Sequence, residues 1–314
     1  MTAAPDATGT LTKLNQGVVR DALAACERTT ARHSSTFSLG SRFFPGAQRR
    51  AVTAVYAACR VGDDAVDEAS GLADAQQRLE AWWQGIERAY SGRPDLERPY
   101  EVGLAWTLER YDVPKEAFEE LRKGFETDLV LSCMDSTDDL LTYCRRVAGV
   151  VGWMITPIAG YRGGNETLQA ALALGNAMQL TNILRDVGED LNRNRCYLPQ
   201  ELLDKHGVTL DELRKGSVSD AYVALLEDLA LEAERLYAQG WAGVPKLQGA
   251  AKFAVAVAAE NYQAILNKLR ANRYDNLNRR AYLRTPERLK LIPIAVWHAW
   301  FPPEPGSTRH QEAS

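Results

Sequence analysis

Two pairs of aspartates carry the chemistry of this 314-residue chain. Asp63 and Asp67 close the stretch Tyr56-Ala57-Ala58-Cys59-Arg60-Val61-Gly62-Asp63-Asp64-Ala65-Val66-Asp67. Asp186 and Asp190 repeat the spacing in Gln179-Leu180-Thr181-Asn182-Ile183-Leu184-Arg185-Asp186-Val187-Gly188-Glu189-Asp190. On an α-helix, Gln179, Asn182, Asp186 and Asp190 share an arc of roughly 80°. Leu180, Ile183, Leu184, Val187 and Leu191 fill the neighbouring arc, and Thr181, Arg185, Glu189 and Asn192 the remaining one. In the upstream stretch, Tyr56, Arg60, Asp63 and Asp67 share an arc of roughly 60°, with Asp64 on its flank.

A surface helix needs only an apolar and a polar face. Here an oxygen-rich stripe lies beside the buried arc, separate from the solvated one. Carboxylates leaning inward cost several kcal/mol unless a cation meets them, and a metal ion is the usual partner. Like charges four residues apart on a helix also repel by a few tenths of a kcal/mol. If the two helices face each other, four carboxylates converge, and a cluster of Mg²⁺ ions gripping a diphosphate accounts for them.

The remaining elements must position these stripes. Helical spacing begins near Asn15 and runs through Val18, Val19, Leu23 and Cys26. His33-Ser34-Ser35-Thr36-Phe37-Ser38 is rich in hydroxyls, which suits either a helix cap or neutral donors to phosphate oxygens. Pro45 opens the helix of the first stripe, and a helix from about Ala73 to Ala89 follows. Two more are separated near Val113-Pro114. Ser136-Thr137-Asp138-Asp139 reads as a helix start leading to Tyr143. Small residues in Ala148-Gly149-Val150-Val151-Gly152-Trp153 allow close helix packing or an apolar channel. Asn192 to Pro199 is a polar loop in which Arg193 and Arg195 could close over an anion or simply lie at the surface. Long helices follow around Val223 to Tyr237 and from about Gly249 to Asn272, the second containing Tyr262. Arg279, Arg280 and Tyr282 form a cationic patch beyond it.

With 46% apolar and 25% charged residues the chain can bury a full core. A net charge of −4 and a pI near 5.7 argue against a nucleic-acid partner. Cys26, Cys59, Cys133, Cys144 and Cys196 lack metal-type spacing and disulfide density, so reduced thiols are expected. The first 17 residues do not resemble a secretory signal, and Val147 to Tyr161 is too short and broken for a membrane span. A cytoplasmic location is expected. Neither a glycine-rich phosphate loop nor a Rossmann fingerprint is present. The pattern predicts an all-α single domain over residues 14–300, with disordered tails at 1–13 and 301–314.

The stripes resemble those of the trans-isoprenoid diphosphate synthases. Tyr56 to Asp67 and Gln179 to Pro199 together are similar to the two signatures of the squalene/phytoene synthase family. The likeness extends to His33-Ser34-Ser35-Thr36-Phe37, to Tyr143 through Gly152, and to Tyr262 with Arg279, covering about Ala24 to Leu283. Two departures stand out. Asn194 occupies a flap position where glycine is common, which bears on flap mobility. Gly124-Phe125 replaces a frequent Gly-Met, and Asp128 beside it is a peripheral candidate.

This resemblance implies an isoprenoid-synthase-type helical bundle around a central cavity. It implies 1′-1 condensation of two prenyl diphosphates in carotenoid biosynthesis, with geranylgeranyl diphosphate the expected substrate. By this likeness Asp63, Asp67, Asn182, Asp186 and Asp190 hold Mg²⁺, with Mn²⁺ as a substitute and no NADPH required. Arg60, Gln179, Arg185, Arg195 and Arg279, with His33, Ser34, Thr36, Tyr197 and Tyr262, meet the diphosphates. Arg185 falls off the Asp arc. Tyr143, Val147, Ala148, Val151 and Gly152 line the apolar channel, Tyr143 being counted with Arg60 and the four aspartates as catalytic. A lipophilic product implies transient, peripheral membrane contact through Ile292 to Trp300, and other carotenoid-pathway enzymes are expected partners. The rivals are a squalene, dehydrosqualene or hydroxysqualene synthase acting on farnesyl diphosphate, a terpene cyclase, and a non-catalytic helical interaction protein.

Overall fold

The computed structural model describes residues 16–303, so the expected tail at 1–13 and residues 304–314 lie outside the described residues. Within them the chain folds as helices α1 (Gln16–His33), α2 (Ser35–Ser41), α3 (Gly46–Asp67), α4 (Leu72–Tyr90), α5 (Pro99–Leu108), α6 (Lys115–Asp128) and α7 (Thr137–Cys144). There follow α8 (Val150–Ala159), α9 (Asn165–Asn192), α10 (Gln200–His206), α11 (Leu210–Arg214), α12 (Asp220–Trp241), α13 (Ala251–Ala271) and α14 (Thr285–His298). Among the described residues extended pairing is limited to two isolated bridges, Met134 with Pro199 and Tyr161 with Leu247. The all-α expectation holds.

Local chemistry explains the starts. Ser34 Oγ accepts from Phe37 N at 3.2 Å and caps α2, so the cap role of the hydroxyl-rich stretch is realised. Ser136 and Asp139 exchange side-chain and backbone hydrogen bonds in a capping box that opens α7. Pro45, Pro114 and Pro199 stand at the N-caps of α3, α6 and α10. The sequence reading overlooked α14, whose internal Pro293 breaks the expected pattern. It also placed residues 301–303 in a tail, whereas the Phe301 ring packs on Trp297 with centroids 4.5 Å apart.

The core has two halves. One joins α1, α3, α4, α5, α6 and α8 around Trp82, Ile86, Leu104 and Phe118. The other joins α7 and α9 to α14 around Leu180, Leu184, Tyr222, Tyr237 and Trp241. The 28-residue α9 runs through the middle, packed against α8, α12 and α13. Between α7 and α8 the chain widens into a π-helical turn, Arg145–Gly149, which comes backbone to backbone against α9. A Cβ on Gly175 would sit 2.5 Å from Ala148 O, so only glycine admits that approach.

The irregular segment after α13 is held onto α9 in the same way. Asn276 Nδ2 donates to Leu184 O and its Oδ1 accepts from Tyr222 OH at 2.6 Å. A Cβ on Gly188 would meet Leu277 O at 2.6 Å and Asn276 O at 2.9 Å, both rigid backbone atoms. Gly188→Ala should therefore destabilise by about 1–3 kcal/mol, the usual range for overpacking, and lower the melting temperature by several degrees in a circular-dichroism melt. A melt unchanged from wild type would show that this segment is not seated on α9.

Candidate active site

A cavity of about 540 Å³ lies between the two halves of the core. One face of α9 supplies its longest wall: Thr167, Ala171, Leu174, Gly175, Met178, Gln179 and Asn182 follow one another at helical spacing. From Thr167 to Asn182 this wall is about 22 Å long at 1.5 Å per residue. α8 faces it with Val151, Gly152, Ile155 and Ala159, and the π-turn adds Val147 and Ala148. All five channel residues named from the sequence, Tyr143 included, thus line it. Gly152 also packs tightly, since a Cβ there would lie 2.5 Å from Ala171 O. Packing and channel are the same surface.

The polar residues gather at one end. From α3, Tyr56, Arg60 and Asp63 enter the cavity wall, and Tyr56 stacks on Phe37 of α2 at 4.6 Å. Arg60 is the local counter-ion, with Nη1 2.7 Å from Asp63 Oδ2 and Nη2 against Asp64. Burial, then the charges of Asp67, Asp64 and Asp128, push the Asp63 carboxyl up to about 6 against the pull of Arg60.

The second stripe is held differently at its two ends. Asp186 lies between Arg185, whose Nε is 2.8 Å away, and Arg280, whose Nε is 2.7 Å away. Burial opposes ionisation there, yet these hydrogen bonds hold the carboxyl below the usual range. Asp190 has no such partner among the described residues; burial and the charge of Asp186 push it up to about 7. Asn182 Nδ2 donates to Gln179 Oε1 at 3.4 Å, while its buried Oδ1 accepts nothing.

The loop from Arg193 to Pro199 joins the stripes. Arg195 N donates to Asp190 O at 2.9 Å, and its guanidinium reaches Asp67 Oδ1 at 2.8 Å. Asn194 has φ +58°, in the left-handed region that glycine or asparagine tolerates, so its departure from the common glycine keeps the turn. Met134 N donates to Cys196 O at 3.2 Å, and Gln200 N to Met134 O at 2.8 Å. Tyr197 stacks on Tyr143 with centroids 5.0 Å apart. Both phenols donate to Asp128, from Tyr197 at 2.8 Å and from Tyr143 at 3.0 Å. Burial pushes Asp128 up to about 6 despite those bonds and the charge of Arg195.

Of the residues named from the sequence, His33, Ser34, Gln179, Asn182 and Tyr262 line the cavity with Arg60, Asp63, Tyr143 and the channel residues, whereas Asp67, Asp186, Asp190, Arg195 and Tyr197 are not part of its lining. The side chain of Thr36 lies outside the described residues. Arg185, expected off the arc, lines the cavity because its long side chain folds back onto Asp186. Arg279 is corrected. It points to solvent and pairs with Asp275 at 2.8 Å, while its neighbour Arg280 reaches Asp186. No helical period exists in that segment to tell the two arginines apart. Asp128, held peripheral, is central; its spacing from Leu121 and Phe125, i, i+4 and i+7 on the cavity face of α6, could have revealed it.

These are hard oxygen donors suited to a divalent cation, with Asn182 Oδ1 and Asp190 lacking partners. Among the described residues no three acidic, His or Cys side chains converge to hold an ion alone. Such a set fits a cation that takes one or two carboxylates and fills its shell with water and phosphate oxygens. Beside the main cavity, and sharing His33, Ser34, Arg185 and Tyr262 with it, is a second of about 270 Å³ that adds Arg280 and Arg288.

Residues 30–287 match the squalene/phytoene synthase family. The chain is 52% identical over 278 residues to a phytoene synthase of Thermus thermophilus, covering 88% of this chain and 93% of the relative. It is 36% identical over 290 residues to a 15-cis-phytoene synthase of Synechococcus elongatus, covering 89% and 94%. A dehydrosqualene synthase crystallised with a ligand superposes with a TM-score of 0.81 at 30% identity, covering 89% of this chain and 97% of that one.

The site's cationic end should bind inorganic diphosphate. Arg280→Ala should weaken that binding about 10- to 100-fold, the range for a charged hydrogen bond, while Arg279→Ala changes it less than about twofold. Calorimetric titration distinguishes them, and the reverse order would restore Arg279 to the site.

Proposed function

Because the chain belongs to the squalene/phytoene synthase family, we propose that this prenyltransferase joins two geranylgeranyl diphosphates head to head, through a cyclopropyl diphosphate, to phytoene. The observation that carries the reading is the continuity of the cavity. A polar end bearing Asp63, Asn182, Arg60 and Arg185 opens directly onto an apolar wall about 22 Å long. An acyl chain spanning half a bilayer core is about 15 Å long, so a C20 prenyl chain fits along α9.

Asp63, Asp67, Asp186, Asp190 and Asn182 would hold Mg²⁺, or Mn²⁺ in its place. A bound divalent cation supplies neutralisation of the diphosphate charge, which makes it a leaving group. The arginines do the rest of the gripping. Arg195 and Arg280 neutralise Asp67 and Asp186, and diphosphate oxygens would offer the two guanidiniums an equivalent partner. Tyr262, Ser34 and Gln179 add neutral donors at the same end. The allylic cation then faces Val147, Ala148, Val151 and Gly152, where no water competes with the second substrate's double bond. Tyr143 and Tyr197, locked on Asp128, close that wall against the loop.

No redox step occurs in this reaction, so no NADPH is needed. The product is a hydrocarbon, which has to leave into a lipid phase. That makes the enzyme a peripheral visitor to membranes, where other carotenoid-pathway enzymes would take up the product. No helix among the described residues is long and apolar enough to cross one.

Incubation with Mg²⁺ and either geranylgeranyl or farnesyl diphosphate, without NADPH, should give a C40 hydrocarbon from the first, identified by mass spectrometry. A C30 product from farnesyl diphosphate alone would overturn the substrate assignment. Asp190→Asn is the cleanest test of the metal role, because it breaks no side-chain ion pair and relieves repulsion from Asp186. Its melting temperature should equal or exceed wild type while turnover falls at least about a hundredfold; wild-type turnover would remove Asp190 from the site. Protons and cations compete for Asp63 and Asp190, whose carboxyls sit at about 6 and about 7. Apparent Mg²⁺ affinity should therefore weaken as the pH falls from about 8 to about 6, and an unchanged affinity would contradict carboxylate ligation.

A further inference from the structure

The apolar residues of α14 are arranged backwards for a helix that only packs inward. Ala295 and Ala299 face the core, while Leu289, Val296, Trp297, Trp300 and Phe301 are 39–61% exposed. With the exposed Pro293 they form one stripe, at spacings of four, three, one, three and one residues along α14 and the turn that follows it. The stripe overlaps the expected contact from Ile292 to Trp300, although Ile292 itself is half-buried, like Leu291 before it, while Pro293 after it is exposed. The Trp297 and Phe301 rings lie in tilted contact, and Lys252 holds the Trp300 ring at 3.3 Å. We infer that this stripe is a docking surface for an anionic lipid bilayer, with the two tryptophans and Phe301 seated at headgroup depth.

Three observations select a bilayer as the occupant. Tryptophan and phenylalanine beside a cationic flank are the composition of an interfacial helix. Residues 284–301 carry Arg284, Arg288 and Lys290 against Glu287 alone, and Glu287 pairs with Lys268, although the whole chain is −4. Lys290 within the stripe, flanked by Arg284 and Arg288, gives this segment of an acidic protein an excess of positive charge that complements anionic headgroups. The chain that follows, Glu304 to Ser314, contains no leucine, isoleucine, valine, methionine or aromatic ring and so offers nothing apolar to cover the stripe. The location also fits the chemistry. Tyr282 and Arg288, at the start of the stripe, line the second cavity, which shares Arg185 and Tyr262 with the main one. A docked bilayer would lie beside the opening through which a prenyl chain passes.

The lipophilic product of the proposed reaction gives this surface its purpose, but binding is measured without substrate and so stands or falls separately. Full-length protein is sedimented with phosphatidylcholine vesicles, with and without added phosphatidylglycerol. Wild type should bind the anionic vesicles at least about tenfold more tightly than neutral ones. The Trp297→Ser, Trp300→Ser double variant should lose at least about tenfold in binding to anionic vesicles, and Leu289→Ser, which removes no packed ring, should weaken it in the same direction. Lys290→Glu should reduce the preference for anionic lipid. Circular dichroism confirms that each variant is folded, and turnover of detergent-dispersed substrate should stay at the wild-type level. Vesicle binding within about twofold of wild type in folded Leu289→Ser and in the double variant would overturn the inference. So would a dimer, seen by sedimentation velocity, that the double variant dissociates, because the stripe would then be an interface between two copies.

Discussion

The structure depends on holding five carboxylates close to one another and to a shared set of arginines, with Asp63 and Asp128 in the cavity wall itself. Asp63, Asp67, Asp128, Asp186 and Asp190 come from three helices, and each raises the cost of ionising another or is held by an arginine. The protein meets this charge unevenly. Asp67 and Asp186 are neutralised by arginines that come from outside their own helical arcs, Asp63 leans on Arg60, and Asp190 is left without a partner. A site built only for stability would not leave a half-buried carboxylate and a buried amide oxygen unpaired. Such residual demand for positive charge is what a cation-dependent diphosphate site requires.

The arginines connect that demand to the fold. Arg195 belongs to the loop that leaves α9, and Arg280 to the irregular segment that Gly188 and Asn276 hold onto α9. Both therefore tie the carboxylates of the site to connections rather than to helices. The Tyr143–Tyr197–Asp128 set anchors the same loop from the other side, against α6 and α7.

The rest of the molecule separates water from the reacting carbon. Close helix contacts at Gly152 and Gly175 make a wall of small side chains along α9, with packing tight enough to exclude solvent and space enough for a chain. At the far side of α13, α14 turns its aromatic rings outward. The main cavity joins a polar end to an apolar wall, and the second, arginine-lined cavity that shares His33, Ser34, Arg185 and Tyr262 with it reaches Tyr282 and Arg288 at the start of α14.

By itself the sequence determined most of the helices, the two stripes and most of the site, because these are written in local period. Four-residue spacing places Asp63 beside Asp67 and Asp186 beside Asp190 whatever surrounds them, and Ser136 caps its helix through atoms three residues away. The family likeness named Gln179, Asn182, Tyr262 and the channel residues for the same reason, since their offsets survive on rigid helices. Only the tertiary structure decided which arginine serves the site. Arg279 and Arg280 differ by one position in a segment without period, and contact with α9 chose Arg280. It also decided that Asp128 is central, because two tyrosines from other elements meet it, and that α14 shows its rings to solvent. Such choices arise between elements distant in the chain, where no spacing records which side chains will touch.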